Sequence, residues 1–209
     1  TSNIKNPLSK ETFSYPVAVT GKGSPLLLLH GFDSSFLEFR RLVPLLKHRH
    51  QLFIPDLYGF GFCPRPAVNN FNPKEIILHL NKVISKLPID KEIGIIGASM
   101  GGSFAMELAR QNPKKINRLL LLSPAGLTGN SMKVPPPFDQ LGAWFLSQKS
   151  VRRALCRQAF ANPQKSVGKP EEQIASLHLK VPGWRRSLAA FARSGGVSSY
   201  GKPLPQQPF

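Results

Sequence analysis

A chain of 209 residues can hold one good-sized domain, or one core with a small insertion. Its 28 Lys and Arg against 11 Asp and Glu give a formal net charge of +17, which attracts polyanions. The basic residues nevertheless form no finger spacing, no long cluster with interleaved aromatics and no nucleic-acid motif, so nucleic acid is excluded as a partner.

The alternatives for that charge are a solvated basic surface or contact with anionic lipid or another acidic partner. The densest groups are Arg40-Arg41 with Lys47-His-Arg-His50, Arg152-Arg153 with Arg157, and Arg185-Arg186. No apolar run is long enough to span a bilayer, and the polar start Thr1-Ser-Asn-Ile-Lys-Asn-Pro7 has no signal-peptide character; the reading is neither secreted nor transmembrane. The start also lacks an initiator Met, as in a processed chain or a fragment. Cys63 and Cys156 sit in no metal-like or redox-like spacing and read as free thiols in a reducing compartment.

In chain order, residues 11–20 have strand composition broken by Pro16, and Gly21-Lys-Gly-Ser-Pro25 is turn chemistry. Leu26–His30 is a continuous apolar run, as for a strand buried on both faces of a parallel sheet. Phe36–Leu46 has helical spacing with Pro44 as a kink. Gln51–Asp56 is a short strand ending in the glycine-rich Leu57-Tyr-Gly-Phe-Gly-Phe62. Asn72-Pro73-Lys-Glu75 opens a helix with a cap, a first-turn proline and a capping-box glutamate. Lys91–Gly97 is a central strand, Ser99–Asn112 a helix, and Asn117–Ser123 the next strand. Strand and helix alternate, which is the pattern of an α/β parallel sheet. After Pro124-Ala-Gly126 the pattern changes to short helices without strands, from Phe138 to about Ser194, of which Val151–Phe160 is amphipathic and basic. The stretch from Ser194 to Phe209 is rich in Gly, Pro and Ser and forms no element.

The chemistry concentrates in Gly97-Ala-Ser-Met-Gly101. A strand running into Gly-x-Ser-x-Gly with a helix at once behind it is a turn sharp enough to expose one serine hydroxyl at the end of a sheet. Gly97 and Gly101 flank Ser99 because a side chain at either position collides where strand and helix cross. His30-Gly31-Phe32 after one strand, Asp56-Leu-Tyr-Gly-Phe-Gly61 after the next, and this elbow follow the order and spacing of the α/β-hydrolase superfamily, which the chain resembles over Ser24–Ser123. The segment His30-Gly-Phe-Asp-Ser-Ser-Phe-Leu-Glu-Phe-Arg40 looks like the cap-domain hydrolases of cyanobacteria and plant plastids.

The resemblance implies a mostly parallel sheet with helices on both faces, a core over 1–126, a helical cap over 127–194 and a return to the core over 195–209. It implies Ser99 as nucleophile and the backbone N–H groups of Phe32 and Met100 as oxyanion donors. It also implies a chloroplast or cyanobacterial cytoplasm, and no cofactor or metal. Asp56 is expected to hold the glycine-rich loop and His30 to be structural, with the pocket mouth a secondary reading for Asp33. The substrate is then a small-molecule ester or related acyl compound. Its lipophilic character is taken from Trp144, Phe145, Leu146 and Trp184, residue types that more often form cap core than substrate contacts.

In one respect the sequence departs from the superfamily. There the acid and histidine follow the serine on later loops, whereas here the only histidine after Ser99 is His178, and the carboxylates are Glu107, Asp139, Glu171 and Glu172. His178 reads as an ordinary helix residue and, secondarily, as a substitute base. The superfamily's final strands are missing too, so the chain is expected to be truncated, leaving a strand edge and apolar helix faces uncovered. Three readings follow: an impaired serine hydrolase, a non-catalytic binding module on the same fold, and attachment to an anionic membrane surface through the basic cap helices.

Overall fold

A computed structural model describes residues 2–5, 12–67, 70–127 and 132–197. Strands β1 (Ser2–Lys5) and β2 (Thr12–Tyr15) pair antiparallel as a small separate sheet. Pro16 divides the run, at the break the sequence shows. Beyond it, β3 (Val17–Thr20) joins the main sheet instead.

That sheet contains β3, β4 (Ser24–Leu29), β5 (His50–Pro55), β6 (Ile93–Ala98) and β7 (Ile116–Leu122) in the order β3-β5-β4-β6-β7. Only β3 runs antiparallel; β5, β4, β6 and β7 are mutually parallel, with Leu26 opposite both Leu52 and Gly94 and Gly97 opposite Leu121. Continuous apolar strands are required because both faces are covered. Leu28, Leu52, Ile54 and Ile96 point to one side, where Phe39 and its neighbours pack. Leu27, Leu29, Phe53, Ile93 and Ile95 point to the other, against α2 (Pro73–Lys86) and α3 (Met100–Gln111). The α/β sheet with helices on both faces is as the sequence predicts.

The segment read as one kinked helix is two pieces, a 3-10 turn at Phe36–Arg41 and a short α1 at Val43–Leu46. Pro44 has no N–H for the preceding turn and its ring would clash there. The helix therefore restarts with the proline in its own first turn, where no donor is needed. The entry to α2 has the expected chemistry: Asn72 is extended, and its side chain accepts from the Glu75 N–H at 3.1 Å.

Residues 132–197 contain helices α4 (Phe138–Leu146), α5 (Lys149–Gln158), α6 (Pro163–Ser166), α7 (Lys169–Ile174) and α8 (Trp184–Ser194), with a 3-10 turn at Leu177–Lys180. The final residues assigned to a return to the core, 198–209, lie outside the described residues. Among the described residues β7 is an edge strand, and Leu120 and Leu122, on one face of it, are exposed. No helix among them is long and apolar enough to cross a membrane. Both cysteines are free; burial pushes the Cys63 thiol well above its ordinary value.

One core residue makes the fold sensitive to acid. His79 on α2 is buried beside Tyr15, ring centroids 4.2 Å apart, and burial lowers its imidazole from 6.5 to about 3. The unfolded chain takes up this proton near its ordinary value and the folded chain does not, so the contribution is fully present above pH 6.5 and is lost as pH falls toward about 3. His79→Leu should therefore flatten the loss of urea midpoint between neutral and mildly acidic pH. An unchanged pH profile would show that other groups set the acid limit.

Candidate active site

The junction of β6 and α3 is built on absent side chains. A Cβ at Gly97 would lie 2.6 Å from the Gly101 carbonyl oxygen, and one at Gly101 would lie 2.1 Å from that of Leu29. Helix α3 is thus pressed against the ends of both β6 and β4. Between the glycines Ser99 takes φ 49° and ψ −117°, a region costly for a residue with a side chain, by about 1–3 kcal/mol. The surroundings hold it there: its N–H donates to Leu122 O at 2.9 Å, and its carbonyl accepts from Gly102 N at 2.9 Å and Ala125 N at 3.0 Å. The side chain is left exposed, as the elbow motif requires.

The loop after β4 lies against this elbow, since a Cβ at Gly31 would be 3.4 Å from Ser99 Cβ. Gly31 N–H donates to Glu38 at 2.9 Å, which fixes the loop, and the Phe32 ring packs on Phe60 and Phe191. Ser99 and Phe32 border the same cavity, of about 520 Å³. Met100 opens α3, where a backbone N–H has no intrahelical acceptor.

His30 and Asp56 serve structural roles, as read from the sequence. The Leu57 N–H donates to His30 Nε2 at 3.0 Å, so the ring proton sits on Nδ1 and is donated to Gly31 O at 2.8 Å. Both ring nitrogens are occupied. Asp56 is fully buried and accepts from Phe36 N and Phe62 N, each at 2.6 Å, and the glycine-rich loop wraps so tightly that a Cβ at Gly61 would lie 2.2 Å from its carboxyl carbon.

Asp33 is more than a residue at the pocket mouth. Its carboxylate is buried and receives three donors from the helical segment: the Arg152 guanidinium, His178 Nε2 at 3.0 Å and Trp184 Nε1 at 2.8 Å. The expectation that His178 is an ordinary helix residue is therefore corrected. It is buried in a 3-10 turn because a carboxylate removed from water needs donors. Arg152 and Trp184 were not foreseen as partners either; the sequence offers no local signal for them. Arg152 Nε and His178 Nδ1 have no hydrogen-bond partner among the described residues. A second tie joins the loop after β5 to α8, with Arg65 donating to Ser187 Oγ at 3.0 Å and Arg186 to the Arg65 carbonyl.

Apolar residues Leu146, Leu155, Phe160 and Ile174 form much of the cavity wall, together with Glu38, Arg40, Arg152, Glu171 and His178. The Gly168 N–H and the Arg40 guanidinium hold the Glu171 carboxyl down at about 2. No group of metal-ligating side chains occurs among the described residues.

Two expectations follow for stability. Gly101→Ala should destabilise the chain by at least about 1–3 kcal/mol through overpacking, whereas Ser99→Gly should stabilise it by about 1 kcal/mol by relieving the positive φ; urea unfolding of both variants checks the opposite signs. Asp33→Ala, which leaves Arg152 buried without its counter-ion, should cost about 3 kcal/mol in the same assay. A loss near zero would show the cluster to be solvated.

The sequence profile of the alpha/beta hydrolase fold matches residues 24–167. The chain is 29% identical over 177 residues to the 2-hydroxymuconate semialdehyde hydrolase of Pseudomonas sp. (strain CF600), an alignment covering 82% of this chain and 59% of that protein. It is 28% identical over 182 residues to the alpha/beta hydrolase domain-containing protein VTE7 of Arabidopsis thaliana, covering 84% of this chain and 54% of that one. This chain thus spans less than two thirds of the length of either relative. Among solved structures, epoxide hydrolase CorEH without ligand superposes with a TM-score of 0.73 at 23% identity, over 91% of this chain and 76% of that chain, a likeness of fold. With the profile match spanning more than half of its residues, the chain belongs to the alpha/beta hydrolase family.

Proposed function

We propose that this chain is the nucleophile-bearing part, with its cap, of a serine-dependent hydrolase acting on a small apolar ester or related acyl compound. In this reading residues 1–126 are the core, 127–194 the cap and 195–209 a return to the core. Ser99 Oγ attacks the acyl carbonyl, the N–H groups of Phe32 and Met100 receive the negative charge that develops on oxygen, and the ester C–O bond then breaks, the alcohol leaving with the proton given up by Ser99. One such donor is worth about 2.7–4 kcal/mol in the barrier. Water then releases the acyl group from Ser99. The observation that carries the reading is the exposed, strained Ser99 set against the 30–32 loop on a largely apolar cavity. The relatives are named as hydrolases of differing bonds, so the ester or acyl class rests on this geometry.

A second reading, a binding module on the same fold, is favoured by the histidines. His30 uses both ring nitrogens, and His178 commits Nε2 to Asp33, so neither stands as an assigned base. A serine hydroxyl without an adjacent proton acceptor is a weak nucleophile. Plastid or cyanobacterial residence belongs to the same reading; one of the relatives comes from a plant, Arabidopsis thaliana. We assign the excess positive charge to an anionic surface rather than to nucleic acid.

The test is hydrolysis of a short p-nitrophenyl ester by the 209-residue chain, its Ser99→Ala variant and its His178→Gln variant. Serine-dependent catalysis predicts loss of the enzymatic rate in Ser99→Ala, and loss in His178→Gln as well would identify His178 as the recruited base. Equal rates in all three would favour the binding module for this chain.

A further inference from the structure

The first helix of the cap is turned inside out. Along α4 the residues facing the protein are Asp139, buried and ion-paired with Arg193, and the small Ala143, with Leu146 half-buried at the cavity wall. The apolar bulk faces outward: Phe138, Leu141, Trp144 and Phe145 are 62%, 53%, 51% and 55% exposed. Helical spacing gathers these four within about 120° of arc, and a Cβ built at Gly142 between them would touch nothing. A contiguous apolar patch of this kind marks an interaction surface.

The surrounding charge says what kind. Residues 132–194 carry eleven Lys and Arg against three acidic residues. All three acids are already held by arginine, Asp139 by Arg193, Glu171 by Arg40 and Arg41, and Glu172 by Arg153. Exposed Lys133 and Lys149 bracket α4. The basic α5, which the sequence suggests as the contact, is less suited: Arg152 is buried on Asp33, and Arg153 and Arg157 share Glu172. A second copy of the chain would bring the same positive excess against itself, and like charges at close range oppose that pairing.

We propose that α4 is a lipid-docking helix, seating Phe138, Leu141, Trp144 and Phe145 at the headgroup–acyl boundary of an anionic membrane while Lys133 and Lys149 lie among the headgroups. Leu146, the last residue of α4, borders the Ser99 cavity, so the docked face and the cavity share one helix. Resting on the hydrolase reading, this names the source of the acyl substrate as the membrane; the docking itself stands without that reading.

The two tryptophans make the test direct, since Trp144 is exposed and Trp184 is 5% exposed. The chain is titrated with vesicles of phosphatidylcholine, alone or mixed with phosphatidylglycerol. A blue shift of emission, and quenching by brominated acyl chains, are expected with the anionic vesicles only. Trp144→Phe should abolish the shift yet still co-sediment. Phe138→Ser/Phe145→Ser, with its fold verified by circular dichroism, should lower vesicle affinity at least about tenfold. Three results would each overturn the proposal: absent or equal binding to the two vesicle types, binding indifferent to the double variant, or a dimer in light scattering that the double variant dissolves. The readout needs no turnover, so an unreactive Ser99 leaves it unaffected, and failed docking says nothing against Ser99.

Discussion

Everything in this molecule that bears on chemistry depends on how closely α3 approaches the ends of β4 and β6. Gly97 and Gly101 leave no room for even one methyl group between helix and strands. That clearance brings the start of α3 beside the loop after β4 and forces Ser99 into a backbone conformation it would not adopt alone. The strain is sustained because three backbone hydrogen bonds from β7, α3 and the following turn grip Ser99 at once. The exposure of Ser99 and the packing of α3 are here two aspects of one contact.

The helical segment is tied to the core by a different kind of interaction. A buried carboxylate, Asp33, gathers an arginine, an imidazole and an indole from three separate elements. Such a cluster contributes less net stability than apolar packing of equal volume, but its geometry is stringent. It admits one arrangement of α5, the 177–180 turn and α8 over the loop that carries Phe32. Phe191 packing on Phe32 and Phe60 supplies the apolar half of the same joint.

The sequence carried much of this and concealed the rest for physical reasons. Buried parallel strands are legible because covering both faces demands runs such as Leu26–His30. The elbow is legible because its signature is five contiguous residues, although the clash that Gly101 avoids is with distant Leu29. Pro44 reads as a kink in the sequence and is a restart in the structure, a distinction that depends on which turn can spare the donor. The Asp33 cluster was invisible because its partners stand 119, 145 and 151 residues away, so no spacing encodes it. The period of α4 could be read, but not which face turns inward; that is decided by Asp139 finding Arg193.

The composition of the cavity wall separates long-range attraction from local admission. The chain as a whole carries +17, yet its cavity is lined by three carboxylates, Asp33, Glu38 and Glu171, against two guanidinium groups, Arg40 and Arg152. A polyanionic surface therefore feels the exterior field over a Debye length of about 8 Å at physiological salt, while an anion entering the cavity meets no net positive charge. If the chain docks as proposed, the field that draws it to an anionic surface is not the field a substrate meets beside Ser99.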